Sequence, residues 1–468
     1  MELFDYQKKA VGFIQEKKRA YLALDMGMGK TLTSLASVSD KGNILLVAEK
    51  NEIVNSQNFK KEVTAFFPNL EYFNLREEVP EGDAWVGGIN PDGIEKLDDK
   101  LFDDVKALIV DEATLAKNTN TKRFRKVHKI AKQVDHLVLM SGTPIMNGAG
   151  ELYAPLLLMD HWLVAGKKAQ GKKAFEKVFA GGFYKQIRSK KGYSDEYVRK
   201  NYWKFYGWWA KGANNLRELR YLLSDSFFIM SKGETDVFKK KTRRLEKVEM
   251  SLPWLGEYTQ AWKNYLVDAK KRKVDMDNVL ELRRLIENGQ CYQVNSRWKA
   301  KQVAKDIADG KYGDKRIVVF TLFIESDQIL QEELARLGVT YRTFEELNEW
   351  KEGTEQVLCG RIKSHNKGGN VPQANICIMA DMDFVPSNNL QAENRIDRPE
   401  QTQDMEIIYY MTEGDDVVDK HVRNINRDKI RKIEEFMRPL TEEELIEMPA
   451  RLGALRAKFP KEAELLGI

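Results

Sequence analysis

The chain has little cysteine, little histidine and no long apolar run. Its three cysteines, Cys291, Cys359 and Cys377, are scattered over 468 residues and form no C-x-x-C pair. That argues against a disulfide framework and a cysteine zinc site, and it suits a reducing compartment, so a cytoplasmic setting is expected. The five histidines are dispersed and suggest no metal cluster. The most apolar stretch, LYAPLLLMDHWLV (152–164), is too short and too polar to span a bilayer. The opening MELFDYQKK lacks the apolar core of a signal peptide. No membrane association is expected.

A strong overall charge excess is also missing, since the formal net charge is only +5. The distribution is uneven, however. Residues 161–244 hold 21 lysines and arginines against 7 acids, so the remainder of the chain is slightly acidic. A basic block in such a body points to a polyanionic partner. Within it, KGYSDEYVRKNYWKFYGWW (191–209) interleaves cations with tyrosine and tryptophan. Cations neutralise phosphates and aromatic rings stack on exposed bases, so Lys190, Lys191, Arg199 and Lys200 are candidate phosphate contacts. A small helical bundle with an aromatic core and a solvated lysine face is the bland alternative.

Short apolar runs recur with turns and helical patterns between them. AYLAL (20–24), NILLVA (43–48), ALIVD (107–111) and HLVLM (136–140) read as buried strands, and RIVVFT (316–321), NICIMA (375–380) and EIIYYM (406–411) resume the rhythm later. Such runs alternating with helices predict an α/β fold with parallel sheets. Two α/β lobes are expected, at 1–160 and 311–440. Between them a basic, aromatic, helical protrusion is expected at 161–250 and a helical linker at 251–310. Residues 441–468 read as a helical extension that braces the first lobe or binds a partner.

LALDMGMGKT (22–31) follows a strand and opens a helix. Gly27 and Gly29 let backbone N–H groups approach phosphate oxygens, Lys30 can reach the β- and γ-phosphates, and the Thr31 hydroxyl can ligate Mg²⁺. A tight strand–helix turn could carry the same letters without a ligand. The strand ALIVD, however, ends in Asp111-Glu112, as a partner for such a loop would. Asp111 can hold the metal and Glu112 can orient and deprotonate an attacking water. Together the two stretches predict a site for ATP and Mg²⁺. Near the other end, NNLQAENRIDRPEQ (388–401) carries Arg395 and Arg398. Three residues apart on a helical turn they share a face and call for an anion, unless they are a surface pair bridged to Glu393 and Asp397.

The series as a whole resembles the Swi/Snf-type ATPases of helicase superfamily two. The resemblance rests on LFDYQKKAVGFI (3–14), LALDMGMGKT, NILLVAEKNEIVNSQNFKKEV (43–63), VDEATLAKNTNTKRF (110–124), SGTPIMN (141–147), RIVVFTLF (316–323) and DMDFVPSNNLQAENRIDRPEQ (381–401). It implies two RecA-like lobes, with Gln7 reading adenine and Asp25, Gly27, Met28, Gly29, Lys30 and Thr31 holding the nucleotide. It makes Arg395 and Arg398 arginine fingers and Gln391 a nucleotide sensor. Thr114, Ser141, Gly142 and Thr143 would couple the ATP site to motif III. Lys50, Asn51, Lys117, Asn147, Lys367 and Gly369 would touch a nucleic-acid backbone. The family usually has His where Thr114 and Asp397 stand, and the motif V region SHNKGGNVPQAN (364–375) is irregular in spacing.

The resemblance implies an ATP-dependent translocase on double-stranded DNA, acting in replication, recombination or repair. A strand-separating helicase on single-stranded DNA or RNA is an alternative, as is a nucleotide-gated DNA-binding module without turnover. No zinc-ribbon, bromodomain or chromodomain signature is present, so chromatin remodelling is not expected, and the compact size suggests a bacterial or bacteriophage source. The protein partner is left open.

Overall fold

The computed structural model describes the chain apart from residues 1, 50–52, 54–57, 83, 114–117, 147, 187–196, 198–199, 201–204, 211, 272–289, 366–368 and 415–417. The chain divides into two compact units: residues 1–25, 29–235 and 431–468, and residues 26–28 and 236–430.

The first unit is built on a seven-stranded sheet. In chain order its strands are β1 (Arg19–Leu24), β2 (Asn43–Val47), β3 (Glu71–Asn74), β4 (Trp85–Ile89), β5 (Val105–Val110) and β6 (His136–Met140). After the antiparallel hairpin of β7 (Phe183–Gln186) and β8 (Tyr206–Trp209) comes the seventh, β9 (Phe227–Met230). The spatial order is β3-β4-β2-β5-β6-β1-β9, with every pair parallel. β2 and β4 are buried along their whole length. Burial on both faces is why these strands read as unbroken apolar runs.

The second unit repeats the plan with β10 (Lys241–Val248), β11 (Ile317–Thr321), β12 (Tyr341–Thr343), β13 (Val357–Arg361), β14 (Ile376–Met379) and β15 (Met405–Thr412). Their order is β10-β15-β14-β11-β13-β12, again all parallel. The expected α/β class with two parallel-sheet units is therefore what the chain adopts. Among the described residues no helix is long and apolar enough to cross a membrane.

Residues 161–250 differ from the expected protrusion. β9 belongs to the first sheet beside β1, where Tyr21 stacks on Phe227 at 4.5 Å, and β10 belongs to the second sheet. The helix Leu216–Leu222 contributes Leu216 and Leu219 to the first unit's core. β9 is only four residues long and β10 is filled with basic residues, so neither stands out as an apolar run in the sequence. The expected helical linker contains the helices Leu252–Lys271 and Gln290–Ala308.

The C-terminal segment forms helices Glu442–Lys458 and Pro460–Leu466. Both belong to the first unit, where Leu455 and Leu466 join the core beside Ile433, Phe436 and Met437. Of the two readings of this segment, the brace is the one seen. Arg217, only 5 % exposed, fastens it. Its guanidinium donates to both Glu444 carboxylate oxygens at 2.8 and 2.6 Å, and to the carbonyls of Glu435, Arg438 and Pro439. Lys177 pairs with Glu462 at 2.5 Å.

Hydrogen bonds from Arg217 hold the Glu444 carboxyl down at about 2, below an ordinary value of about 4.3. A depressed carboxylate contributes stability above its unfolded pKa and loses it as pH falls through the folded value. Glu444→Gln should therefore lower the melting temperature most above pH 5. The difference from wild type should shrink between about pH 4.3 and pH 2. Thermal unfolding at pH 7, 4 and 3 checks this, and a pH-independent difference would contradict the ion pair.

Candidate active site

β5, β6 and β1 are neighbours and parallel, so the loops that leave their C-terminal ends emerge on one edge of the sheet. That topology gathers Asp25, Asp111 and Ser141, which directly follow β1, β5 and β6. Ligand sites of open α/β sheets form at this edge.

The phosphate-loop candidate turns through Gly27 (φ 86°) and Gly29 (φ 72°) into helix α2 (Lys30–Val38). Gly29 is irreplaceable for two reasons. Its backbone is left-handed, and a Cβ there would stand 2.5 Å from the side-chain nitrogen of Gln7. No side chain caps the N-terminus of α2, and its first turn holds no acid. The first N–H groups and the positive end of the helix dipole therefore suit an anion. Lys30 donates its ammonium to the carbonyls of Leu24 (3.1 Å) and Asp25 (3.3 Å), which keeps it folded over the loop.

Gln7 lies on α1 (Asp5–Lys17), is buried, and accepts the Phe4 N–H on Oε1 at 3.0 Å. It is thus brought against the loop by the start of its own helix. Asp25 has a use the sequence did not reveal. Its carboxylate accepts the Lys232 N–H at 2.9 Å, and its own N–H donates to the Met230 carbonyl. The loop is thereby tied to the end of β9.

At the acidic pair, Asp111 Oδ1 accepts the Glu112 N–H at 2.9 Å. Glu112 has φ 46°, an uncommon conformation for a residue with a side chain. Its carboxylate accepts the hydroxyl of Ser141 at 2.8 Å. The same hydroxyl oxygen accepts the Thr143 N–H at 3.1 Å. Ser141 is fully buried and Thr143 nearly so. A direct link thus joins Glu112 to the segment after β6. Thr114, expected to share in this coupling, lies outside the described residues, as do Lys50, Asn51, Lys117, Asn147, Lys190, Lys191, Arg199 and Lys367. Lys200 is described and exposed. Among the described residues no group of three His, Cys, Asp or Glu stands ready to hold a metal ion.

In the second unit, Gln391 is on the helix Pro386–Glu393, but Arg395 and Arg398 follow it in a turn. The shared helical face expected for the two arginines is therefore corrected: the helix stops at Glu393. Nor are they a surface pair, because Arg395 is buried. The neighbouring acids are held from β10. Arg243 and Lys241 approach Glu393 at 2.7 and 3.8 Å, and Lys241 approaches Asp397 at 2.7 Å. Burial pushes the Glu393 carboxyl up, but Arg243 and Lys241 outweigh it and hold it below its ordinary value. Gly369 is required structurally, since a Cβ there would meet Leu347 at 2.1 Å and its φ is 69°.

Two residues missed in the sequence hold this segment in place. Asp383 accepts the Val385 N–H and the Asn388 amide, and its own backbone exchanges bonds with Asn389 at 2.7 and 2.8 Å. Deeper down, Lys299 is fully buried between Asp381 (3.1 Å) and Asp419 (3.0 Å). Burial opposes its charge, yet the two carboxylates outweigh that and raise its pKa. The visible signal was a lysine amid the apolar positions of the helix Gln290–Ala308.

Known proteins resemble this chain over much of its length. The SNF2-related domain profile matches residues 94–302. The chain is 24% identical, over 88% of its length, to the SWI/SNF-related matrix-associated actin-dependent regulator of chromatin subfamily A-like protein 1 of Xenopus laevis, of which it spans 42%. It is 23% identical, over 97% of its length, to the subfamily A protein containing DEAD/H box 1 of Bos taurus, of which it spans 51%. It thus spans about half the length of the curated relatives it matches. A solved Sulfolobus solfataricus SWI2/SNF2 ATPase core in complex with dsDNA aligns over 97% of this chain and 96% of that one, with 16% identity and a TM-score of 0.41. The chain is thus similar to Swi/Snf-related proteins over most of its length, and the SNF2-related profile covers its middle.

Removing Lys299 would leave two buried carboxylates facing each other. Lys299→Met should destabilise the second unit by about 3–5 kcal/mol. Urea unfolding checks this, and a loss below about 1 kcal/mol would show the triad to be dispensable.

Proposed function

We propose that the protein is a DNA-dependent ATPase that uses ATP and Mg²⁺ to move along duplex DNA. The observation that carries the ATPase reading is the convergence at one sheet edge of an uncapped helix N-terminus, Lys30, and a Glu112 carboxylate oriented by Ser141. The backbone N–H groups of the loop and Lys30 would cradle the phosphates, and Thr31 and Asp111 would hold Mg²⁺. The metal supplies charge neutralisation of the departing phosphate when bound. Glu112, with one carboxylate oxygen engaged by Ser141, has the other to accept a proton from the attacking water.

Gln7, beside Gly29, is assigned to the adenine, and Gln391 to sensing the nucleotide. Arg395 and Arg398 are assigned the charge compensation that the family resemblance gives them. DNA as the partner is supported by the relatives, whose names make them regulators of chromatin, a complex of DNA with protein. The exposed cations of the 161–244 block are consistent with it. Translocation along a duplex is the finer part of the proposal and extends the family resemblance.

The test is steady-state ATP hydrolysis without nucleic acid, with duplex DNA, with single-stranded DNA and with RNA, beside Lys30→Ala. Duplex should stimulate the wild type strongly and the variant not at all. Stimulation by single strands or RNA alone would move the reading to a strand-separating helicase. Absence of turnover throughout would leave a nucleotide-gated binder. Ser141→Ala removes a hydrogen bond to a charged group, of order 1.5–3 kcal/mol. The duplex-stimulated rate should fall about 10- to 100-fold with ATP binding retained. An unchanged rate would deny Ser141 its coupling role.

A further inference from the structure

The first unit carries a concavity of about 700 Å³ outside the nucleotide site. One wall is the helix Lys168–Phe179 with Lys172 and Lys173, another is the end of β8 with Trp208 and Trp209, and a third is Thr119–Asn120. Its volume suits a small ligand or a single nucleotide. The wall chemistry alternates indoles with ammonium groups. Lys173 lies over Tyr184 at 5.2 Å and Trp208 at 5.8 Å, and it donates to the Tyr184 hydroxyl at 2.7 Å. Lys185 lies over Trp209 at 5.4 Å. The one acid of the wall, Glu176, is already engaged. It accepts the Trp208 indole N–H at 2.6 Å and has Lys172 at 3.8 Å.

We propose that this concavity binds an unpaired nucleotide of a DNA strand, with its base against Trp209 and its phosphates on Lys172 and Lys173. The inference rests on the reading above that DNA is the polymer, and it names a subsite on it. Cations alone would suit any polyanion, but indoles recognise a flat ring, and a nucleotide is the anion that brings one. A paired base keeps its faces inside the stack, so only a splayed nucleotide at an end, fork or gap can enter. The Thr119–Asn120 wall lies on the chain that leaves Asp111–Glu112, only eight and nine residues beyond Asp111.

The experiment uses the full chain, with a fluorescent oligothymidylate and a blunt duplex as probes. Trp209→Ala should weaken oligothymidylate binding by about 10-fold, within the range of one stacked base, and change duplex binding less than about twofold. Lys172→Glu, at a half-exposed position, should weaken the same probe and lower the slope of its salt dependence by about one. Wild-type affinity for oligothymidylate in both variants would overturn the proposal. So would displacement of the oligonucleotide by polyglutamate from the wild type but not from Trp209→Ala, which would assign the concavity to an acidic peptide. Duplex-stimulated ATP hydrolysis is measured on the same preparations. Its absence in the wild type counts against the ATPase reading, while oligothymidylate binding still decides the concavity.

Discussion

Parallel pairing is the constraint on which the rest of this molecule depends. A parallel strand cannot follow its neighbour through a tight turn, so each connection must cross the sheet and return, usually through a helix. Every pair in both large sheets obeys this. The consequence is a fixed polarity in which all strand C-termini open on one edge. In the first unit that edge receives the glycine loop after β1, the acidic pair after β5 and Ser141 after β6, though together they span more than 100 residues of chain. The Ser141 hydroxyl then turns proximity into a bond with Glu112. Asp25 extends the same edge to β9 through Lys232.

Charge in sequence and charge in space are different quantities here. The basic surplus of residues 161–244 reads as a polyanion-binding block, yet several of its cations are consumed by acids from distant segments. Arg217 is spent on Glu444, Lys177 on Glu462, Arg243 on Glu393 and Arg244 on Glu406. Among the described residues, Lys172, Lys173 and Lys185 lie on the helix Lys168–Phe179 and the β7–β8 hairpin, beside the indoles of Trp208 and Trp209. A count over a window does not separate cations paired within the protein from those left for a ligand.

Legibility followed chemistry. Strands buried on both faces declare themselves as apolar runs, so β1, β2, β5, β6, β11, β14 and β15 could be read directly. β10, with the sequence KTRRLEKV, has no such run because much of it is exposed on the edge of its sheet. β9 is only four residues long. The glycine loop and the acidic pair were legible because phosphate chemistry needs those residues at those spacings. Asp25–Lys232 and Lys299 with Asp381 and Asp419 were not, because a partner 82 to 207 residues away leaves no local pattern. The turn that carries Arg395 and Arg398 was misread as helix, since a three-residue spacing fits a turn as well.

The brace formed by residues 431–468 has a consequence for how the protein is made. Ile433, Phe436, Met437, Leu455 and Leu466 belong to the same core as the strands that were synthesised first. A ribosome delivers the N-terminal sheet hundreds of residues before the side chains that finish its packing. The second unit, apart from the three residues 26–28, is contiguous at 236–430, so its sequence is delivered before the first unit has its last helices. Birth order and completion order are thus reversed, and a nascent chain must keep an open apolar face until residues 431–468 have been delivered.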